Sequence, residues 1–291
     1  MKSIGIFDSG IGGLTVFSEI EKTLPNENLI YLGDTARVPY GTKSKETIER
    51  FALVIVQFLL KHEVKFLIAA CNTVSALALP LLKKQLDVPI LGVIEPAVQK
   101  ALESSKGRVG VIGTRATVES QAYEKVFYRL NPNIKVWSKA CPLFVSLVEE
   151  NWMDQSETDS IAQKYLTPLL QHKIDTLILG CTHYPLLRSV IQKIVGPEVT
   201  LIDSAQSTAS ACHQIMMEKN LANSNGRSQN RFFVTDEPER IQKMAEKFLG
   251  HSIPKVERAN LDSAFPSLIS FSNTMNSGET WPRTPEKGLL G

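Results

Sequence analysis

Short apolar runs rich in β-branched residues alternate with longer amphipathic stretches along most of this chain, and that alternation leaves few folds open. The runs that read as strands are Ser3–Phe7, Leu29–Leu32, Phe66–Ala70, Ile90–Ile94, Arg108–Ile112, Lys135–Ser138, Thr176–Gly180, Val199–Ile202 and Arg231–Thr235. Between them lie helical stretches at Leu14–Thr23, Ser44–Lys61, Thr73–Gln85, Val118–Leu130, Asp159–Gln171, Leu186–Ile194, Ala209–Lys219 and Pro238–Phe248. A run such as Phe66-Leu67-Ile68-Ala69-Ala70 has no polar alternate, so both of its faces need cover, as they have inside a parallel sheet. Strands that alternate with helices in this way predict an α/β fold with mostly parallel sheets.

The pattern also repeats. Ile4-Gly5-Ile6-Phe7-Asp8-Ser9 resembles Val109-Gly110-Val111-Ile112-Gly113-Thr114, 105 positions on. Leu67-Ile68-Ala69-Ala70-Cys71-Asn72-Thr73 resembles Leu177-Ile178-Leu179-Gly180-Cys181-Thr182-His183, 110 positions on. Either match alone is within the reach of chance between buried strands; both in the same order predict two similar α/β domains. Open α/β sheets bind ligands outside the carboxyl ends of their strands. Asp8, Asp34, Cys71, Thr114, Cys181 and Asp203 fall at such ends, so two facing domains would bring them to one cleft.

At about 100–200 residues per domain, 291 residues suit two domains, and 43% hydrophobic with 21% charged residues is a globular balance. No apolar run approaches the roughly 20 residues of a membrane helix; the strongest, Ala52 to Leu60, contains Gln57. Asp8 cuts the N-terminal apolar stretch short of a secretory h-region, so a cytoplasmic protein is expected. Lys+Arg at 32 against Asp+Glu at 30 gives a net charge of +2, which argues against a nucleic-acid partner. The four cysteines form no C-x-x-C pair, and a disulfide framework is not expected in this setting. Each thiol is therefore either a buried filler or a working group. Cys141 and Cys212 read as packed. Asn273 to Gly291 has no period and is expected to be a poorly ordered tail.

Asp8-Ser9-Gly10-Ile11-Gly12-Gly13-Leu14 follows a strand and opens a helix, a loop suited to an anion such as a carboxylate. It departs from the dinucleotide pattern G-x-G-x-x-G at Thr15, although Asp34 stands where a ribose-binding acid could be. Cys71-Asn72-Thr73 and Cys181-Thr182-His183 each place a thiol beside polar groups at an expected helix N-terminus, where a thiol's pKa is lowered. Thr73 and Thr182 could be no more than helix caps. His183 near Cys181, and Asp8 near Cys71, could exchange protons with those thiols. Asp8, Cys71, Cys181 and His183 also contain zinc-ligand types, but structural zinc favours closely spaced thiols and these are 110 residues apart, so no metal is expected. Glu149 and Glu150 read as solvated charges, and Val38-Pro39-Tyr40-Gly41 as a turn.

Taken together and in order, Asp8-Ser9-Gly10-Ile11-Gly12-Gly13, Gly33-Asp34, Pro39-Tyr40-Gly41, Ala70-Cys71-Asn72-Thr73, Pro142-Leu143-Phe144 with Glu149, and Gly180-Cys181-Thr182-His183-Tyr184-Pro185 resemble the cofactor-independent aspartate/glutamate racemase superfamily, and its glutamate racemases in particular. Ser146 and Asn151 stand where many relatives have Pro and Gly. The resemblance implies a first α/β domain of residues 1–96 plus 207–268, a second of residues 97–206, and a tail, 269–291. It implies interconversion of L- and D-glutamate for peptidoglycan synthesis, no pyridoxal phosphate or other cofactor, and a homodimer as in many members. By the same resemblance Cys71 deprotonates D-glutamate and Cys181 deprotonates L-glutamate, assisted by Asp8 and His183 respectively, with Glu149 as a further auxiliary acid. Asp8, Ser9, Tyr40, Gly41, Asn72, Thr73, Thr114, Thr117, Thr182 and His183 are the implied substrate contacts. An aspartate racemase, a dinucleotide-binding enzyme and a non-catalytic binding protein for acidic amino acids are the competing expectations.

Overall fold

The computed structural model describes residues 2–223 and 229–261. The strands are β1 (Ser3–Asp8), β2 (Leu29–Gly33), β3 (Val64–Ala69), β4 (Ile90–Gly92), β5 (Arg108–Gly113), β6 (Lys135–Ala140), β7 (Thr176–Gly180), β8 (Thr200–Asp203), β9 (Arg231–Val234) and β10 (Val256–Arg258). The helices are α1 (Leu14–Thr23), α2 (Lys45–Lys61), α3 (Asn72–Leu77), α4 (Leu79–Gln85), α5 (Ile94–Ser104), α6 (Arg115–Glu119), α7 (Ala122–Leu130), α8 (Leu143–Glu149), α9 (Ser156–Leu170), α10 (Arg188–Val195), α11 (Ser204–Glu218) and α12 (Pro238–Leu249).

Two sheets form, and every pairing in them is parallel. One has the order β10-β9-β2-β1-β3-β4 and the other β6-β5-β7-β8. The second order matches β2-β1-β3-β4 of the first, with β5 in the place of β1 and β7 in the place of β3. The repeat seen in the sequence is thus a repeat of topology. Each sheet is covered on both faces, as its unbroken apolar strands require. Ile4 and Ile6 of β1 pack with α1, α11 and α12 on one side, while Phe7 packs with α2, α3 and α4 on the other. Around the second sheet, Leu177 and Leu179 face α8, α9 and α10, and Ile178 faces α5 and α7. Among the described residues, no helix is long and apolar enough to cross a membrane.

Several local expectations change. The stretch Thr73–Gln85 is two helices, because Pro80 in the first turn of α4 has no N–H to continue α3. Val118–Leu130 also divides: α6 begins earlier, where the Thr114 hydroxyl accepts from Thr117 N at 3.2 Å, and Gln121 at φ +55° separates it from α7. Ile94 opens α5 rather than closing a strand; Pro96 masked that helix in the sequence but is tolerated in a first turn. The three-residue edge strand β10 is too short to show a period. The expected tail, Asn273 to Gly291, lies outside the described residues.

Candidate active site

The carboxyl ends of β1, β3, β5 and β7 converge on one cavity of about 140 Å³. Its lining includes Ser9, Tyr40, Gly41, Asn72, Thr73, Thr114, Thr182, His183 and Glu149 together with both Cys71 and Cys181. The two thiols come from equivalent strand ends of different sheets, and each is 6% exposed. Cys141, between β6 and α8, and Cys212, in α11, are buried and are not among the residues lining the cavity. Among the described residues, no His, Cys, Asp or Glu cluster has the grouping of a metal site.

Cys71 precedes α3 at its N-terminus, and its thiol donates to the Ser9 hydroxyl at 3.6 Å. The expected lowering of its pKa does not occur. Burial, reinforced by the nearby Asp8 charge, pushes it up to about 12, against smaller opposing contributions from the Val74 amide and Ser9. Held as a thiol, Cys71 is a proton donor. Asp8 lies behind it, fully buried, and accepts from Gly10 N at 3.1 Å and Gly13 N at 3.0 Å. The glycine loop thus binds the protein's own carboxylate. Burial raises the pKa of Asp8, opposed by the His183 charge and the loop amides.

Cys181 is followed by a short 3-10 turn, Tyr184–Leu187, rather than by the expected helix. Its sulfur is 3.8 Å from His183 Nδ1, and His183 Nε2 is 3.1 Å from Glu149 Oε1. Burial disfavours the imidazolium, but the bonds to Cys181 and Glu149 and the charges of Cys181 and Asp8 prevail, lifting the His183 pKa to about 10. A cation beside the Cys181 sulfur stabilises negative charge developing there. Glu149 is thus a partner of this histidine, not a merely solvated acid. Thr182 donates from its hydroxyl to Asp8 Oδ1 at 3.5 Å, which joins the two halves. Gly12 makes the same junction by close approach: a Cβ there would stand 2.5 Å from Thr182 Oγ1 and 2.7 Å from His183 Nδ1.

Thr73 is not a simple cap. Its hydroxyl lies 3.0 Å from Thr114 Oγ1 and 3.4 Å from Thr117 Oγ1, across the cleft. Thr117 and Asp8 support the lining from behind and do not reach the cavity surface. Tyr40 opens a 3-10 turn, Tyr40–Thr42, and its hydroxyl is committed to Asp34, leaving its backbone for a ligand. Asp34 is fully buried and also accepts from Arg37 Nε at 2.7 Å and Thr235 Oγ1 at 3.0 Å. No part of it remains for a ribose, which removes the basis of the dinucleotide reading. Val38, Pro39, Thr42, Arg115, Pro142, Val145 and Ser146 complete the wall, and of these Thr42, Arg115 and Val145 carried no signal in the sequence.

The sequence pattern described as Asp/Glu/hydantoin racemase matches residues 4–212. The glutamate racemase of Geobacter metallireducens is 48% identical over 264 residues, 90% of this chain and 98% of the relative. The crystal structure of glutamate racemase isoform RacE1 from Bacillus anthracis superposes with a TM-score of 0.87 at 42% identity, covering 89% of this chain and 98% of that one. Glutamate racemase from Francisella tularensis, solved in complex with D-glutamate, gives a TM-score of 0.85 at 41% identity over 90% of this chain and 98% of that one. The chain belongs to the Asp/Glu/hydantoin racemase family and, within it, to the glutamate racemases.

Proposed function

We propose that this chain interconverts L- and D-glutamate by proton transfer between the substrate Cα and two thiols, Cys71 and Cys181. The presence of both thiols on one small cavity, each delivered by its own sheet, is the observation that carries the reading. From L-glutamate, the Cys181 thiolate takes the Cα proton and the Cys71 thiol gives its proton to the other face, leaving D-glutamate and a Cys71 thiolate. The reverse direction exchanges the roles, with Asp8 serving Cys71 and His183, backed by Glu149, serving Cys181.

Charge that develops at Cα spreads into the adjoining carboxylate, so donors aimed at that group and exclusion of water lower the barrier. The hydroxyls of Ser9, Thr73, Thr114 and Thr182, with the Tyr40–Gly41 backbone, are the groups available for that, and the Asn72 amide is available to bind a carboxylate of the substrate. The D-glutamate in the Francisella relative supports this substrate. The units 1–96 plus 207–268 and 97–206 act as the two walls, and the D-glutamate serves peptidoglycan assembly in the cytoplasm, from a homodimer.

The test is circular dichroism of the purified protein with L-glutamate and, separately, L-aspartate, with no cofactor added. Decay of the glutamate signal to zero supports the proposal. Preferential decay with aspartate reassigns the substrate, and binding of glutamate without decay makes the chain a binding protein.

A further inference from the structure

We propose that Tyr123 is a positioning residue that sets the orientation of the Asn72 amide, so that its NH2 group faces a substrate carboxylate; the inference rests on the racemase reading above. Asn72 is 2% exposed and lines the cavity, and its Nδ2 has no hydrogen-bond partner among the described residues. A buried amide nitrogen without an acceptor is costly, so the site is built for a ligand that supplies one. An amide has a donor end and an acceptor end, and the end that faces the cavity is decided by what holds the other.

Here the holder is Tyr123, whose hydroxyl donates to Asn72 Oδ1 at 2.7 Å. With that oxygen engaged, Nδ2 is the end left for a ligand. Ser204 lies beside the phenol, and its hydroxyl donates to the Leu179 carbonyl at 3.4 Å. Burial raises the pKa of Tyr123 and keeps it a donor over the working range. The ring is 1% exposed, and its place depends on the glycine before the second thiol. A Cβ at Gly180 would stand 3.1 Å from Tyr123 Cε2 and 3.4 Å from its hydroxyl. Tyr123 on α7 therefore rests against the strand end that carries Cys181 while holding the residue next to Cys71. One phenol couples both strand ends, and Asn72 is oriented only when the two sheets are in place.

The contact to a carboxylate exists in substrate and transition state alike, so its loss acts mainly on KM. Tyr123→Phe keeps the packed ring and removes only the hydroxyl. The expected result is a rise in KM of about five- to tenfold for both enantiomers, with kcat within about twofold. Asn72→Ala raises KM further, and adding Tyr123→Phe to it changes KM by less than about 1.5-fold, because the two act as one unit. Ser204→Ala, which disturbs the same buried spot without touching Asn72, leaves KM unchanged. A wild-type KM in Tyr123→Phe, an equal fold-change in the Asn72→Ala background, or the same rise in Ser204→Ala overturns the inference. An unsubstituted protein that does not racemise glutamate overturns the proposed function instead, so the two failures are distinct.

Discussion

Replacing Glu149 by glutamine probes the far end of the Cys181–His183–Glu149 relay. The substitution keeps a side-chain oxygen near His183 Nε2, now 3.1 Å from Glu149 Oε1, and removes only the charge. Burial lowers the His183 pKa, but Cys181, Glu149 and Asp8 together lift it from 6.5 to about 10. A hydrogen bond to a charged partner contributes about 1.5–3 kcal/mol. Glu149 is 31% exposed, so solvent screens it and the lower figure applies. About 1.5 kcal/mol corresponds to about one pKa unit, so the His183 pKa should fall by that much in the variant. Ring NMR of isotope-labelled protein reads this directly, since there are only five histidines to assign. Linkage gives a second reading. A folded pKa above the unfolded one contributes stability that is complete below 6.5 and lost as pH rises through about 10. Glu149→Gln should therefore unfold more easily by about 1.5 kcal/mol near pH ~6, and the deficit should fade above pH ~10. An unchanged His183 titration, or a deficit equal at both pH values, refutes the relay.

Cys71→Ser and Cys181→Ser should each abolish racemisation while leaving the circular dichroism spectrum of the fold intact. In D2O, the Cys181→Ser protein should exchange the Cα proton of D-glutamate alone and Cys71→Ser that of L-glutamate alone; exchange of both by either variant contradicts the two-thiol assignment. Gly12→Ala drives a methyl group into Thr182 and His183 and should lower kcat/KM by about 10- to 100-fold, since displacing a catalytic group by about 1 Å has effects of that order; activity near wild type in a polarimetric assay would show that the loop yields freely. Lys65→Met strands the buried Glu27 carboxylate, now 2.7 Å from Lys65 Nζ, and should cost about 3–5 kcal/mol in denaturant unfolding; a loss below about 1 kcal/mol contradicts a buried pair.

The strands and the two thiol positions were legible because burial on both sheet faces leaves unbroken apolar runs, and a polar Cys-Asn-Thr or Cys-Thr-His interrupts each run at its carboxyl end. The repeat is matched by the shared strand order β2-β1-β3-β4 and β6-β5-β7-β8 of the two sheets. What the sequence concealed was whatever depends on burial and on distant partners. The pKa of Cys71 has the opposite sign to that expected of a helix N-terminus, because desolvation and Asp8 outweigh six residues of helix. Tyr40 is an implied substrate contact, yet its hydroxyl is held by Asp34, six residues earlier. Thr73 had the form of a cap, but its partners Thr114 and Thr117 are more than forty positions on. Tyr123 gave no local sign at all, since its meaning lies in Asn72, 51 residues earlier.

The matching strand order of the two sheets bears on how such a catalyst meets handedness. Mirror-image amino acids present the same groups with the hydrogen on exchanged sides, and on the proposed mechanism a site with one sulfur for each side treats the exchange as a change of hand rather than a misfit. Neither isomer is the privileged guest, and the mixture drifts toward equal parts from either start. A one-way flow of the rarer isomer must then be drawn off by whatever consumes it downstream; the pull comes from the sink, and the protein supplies only the crossing.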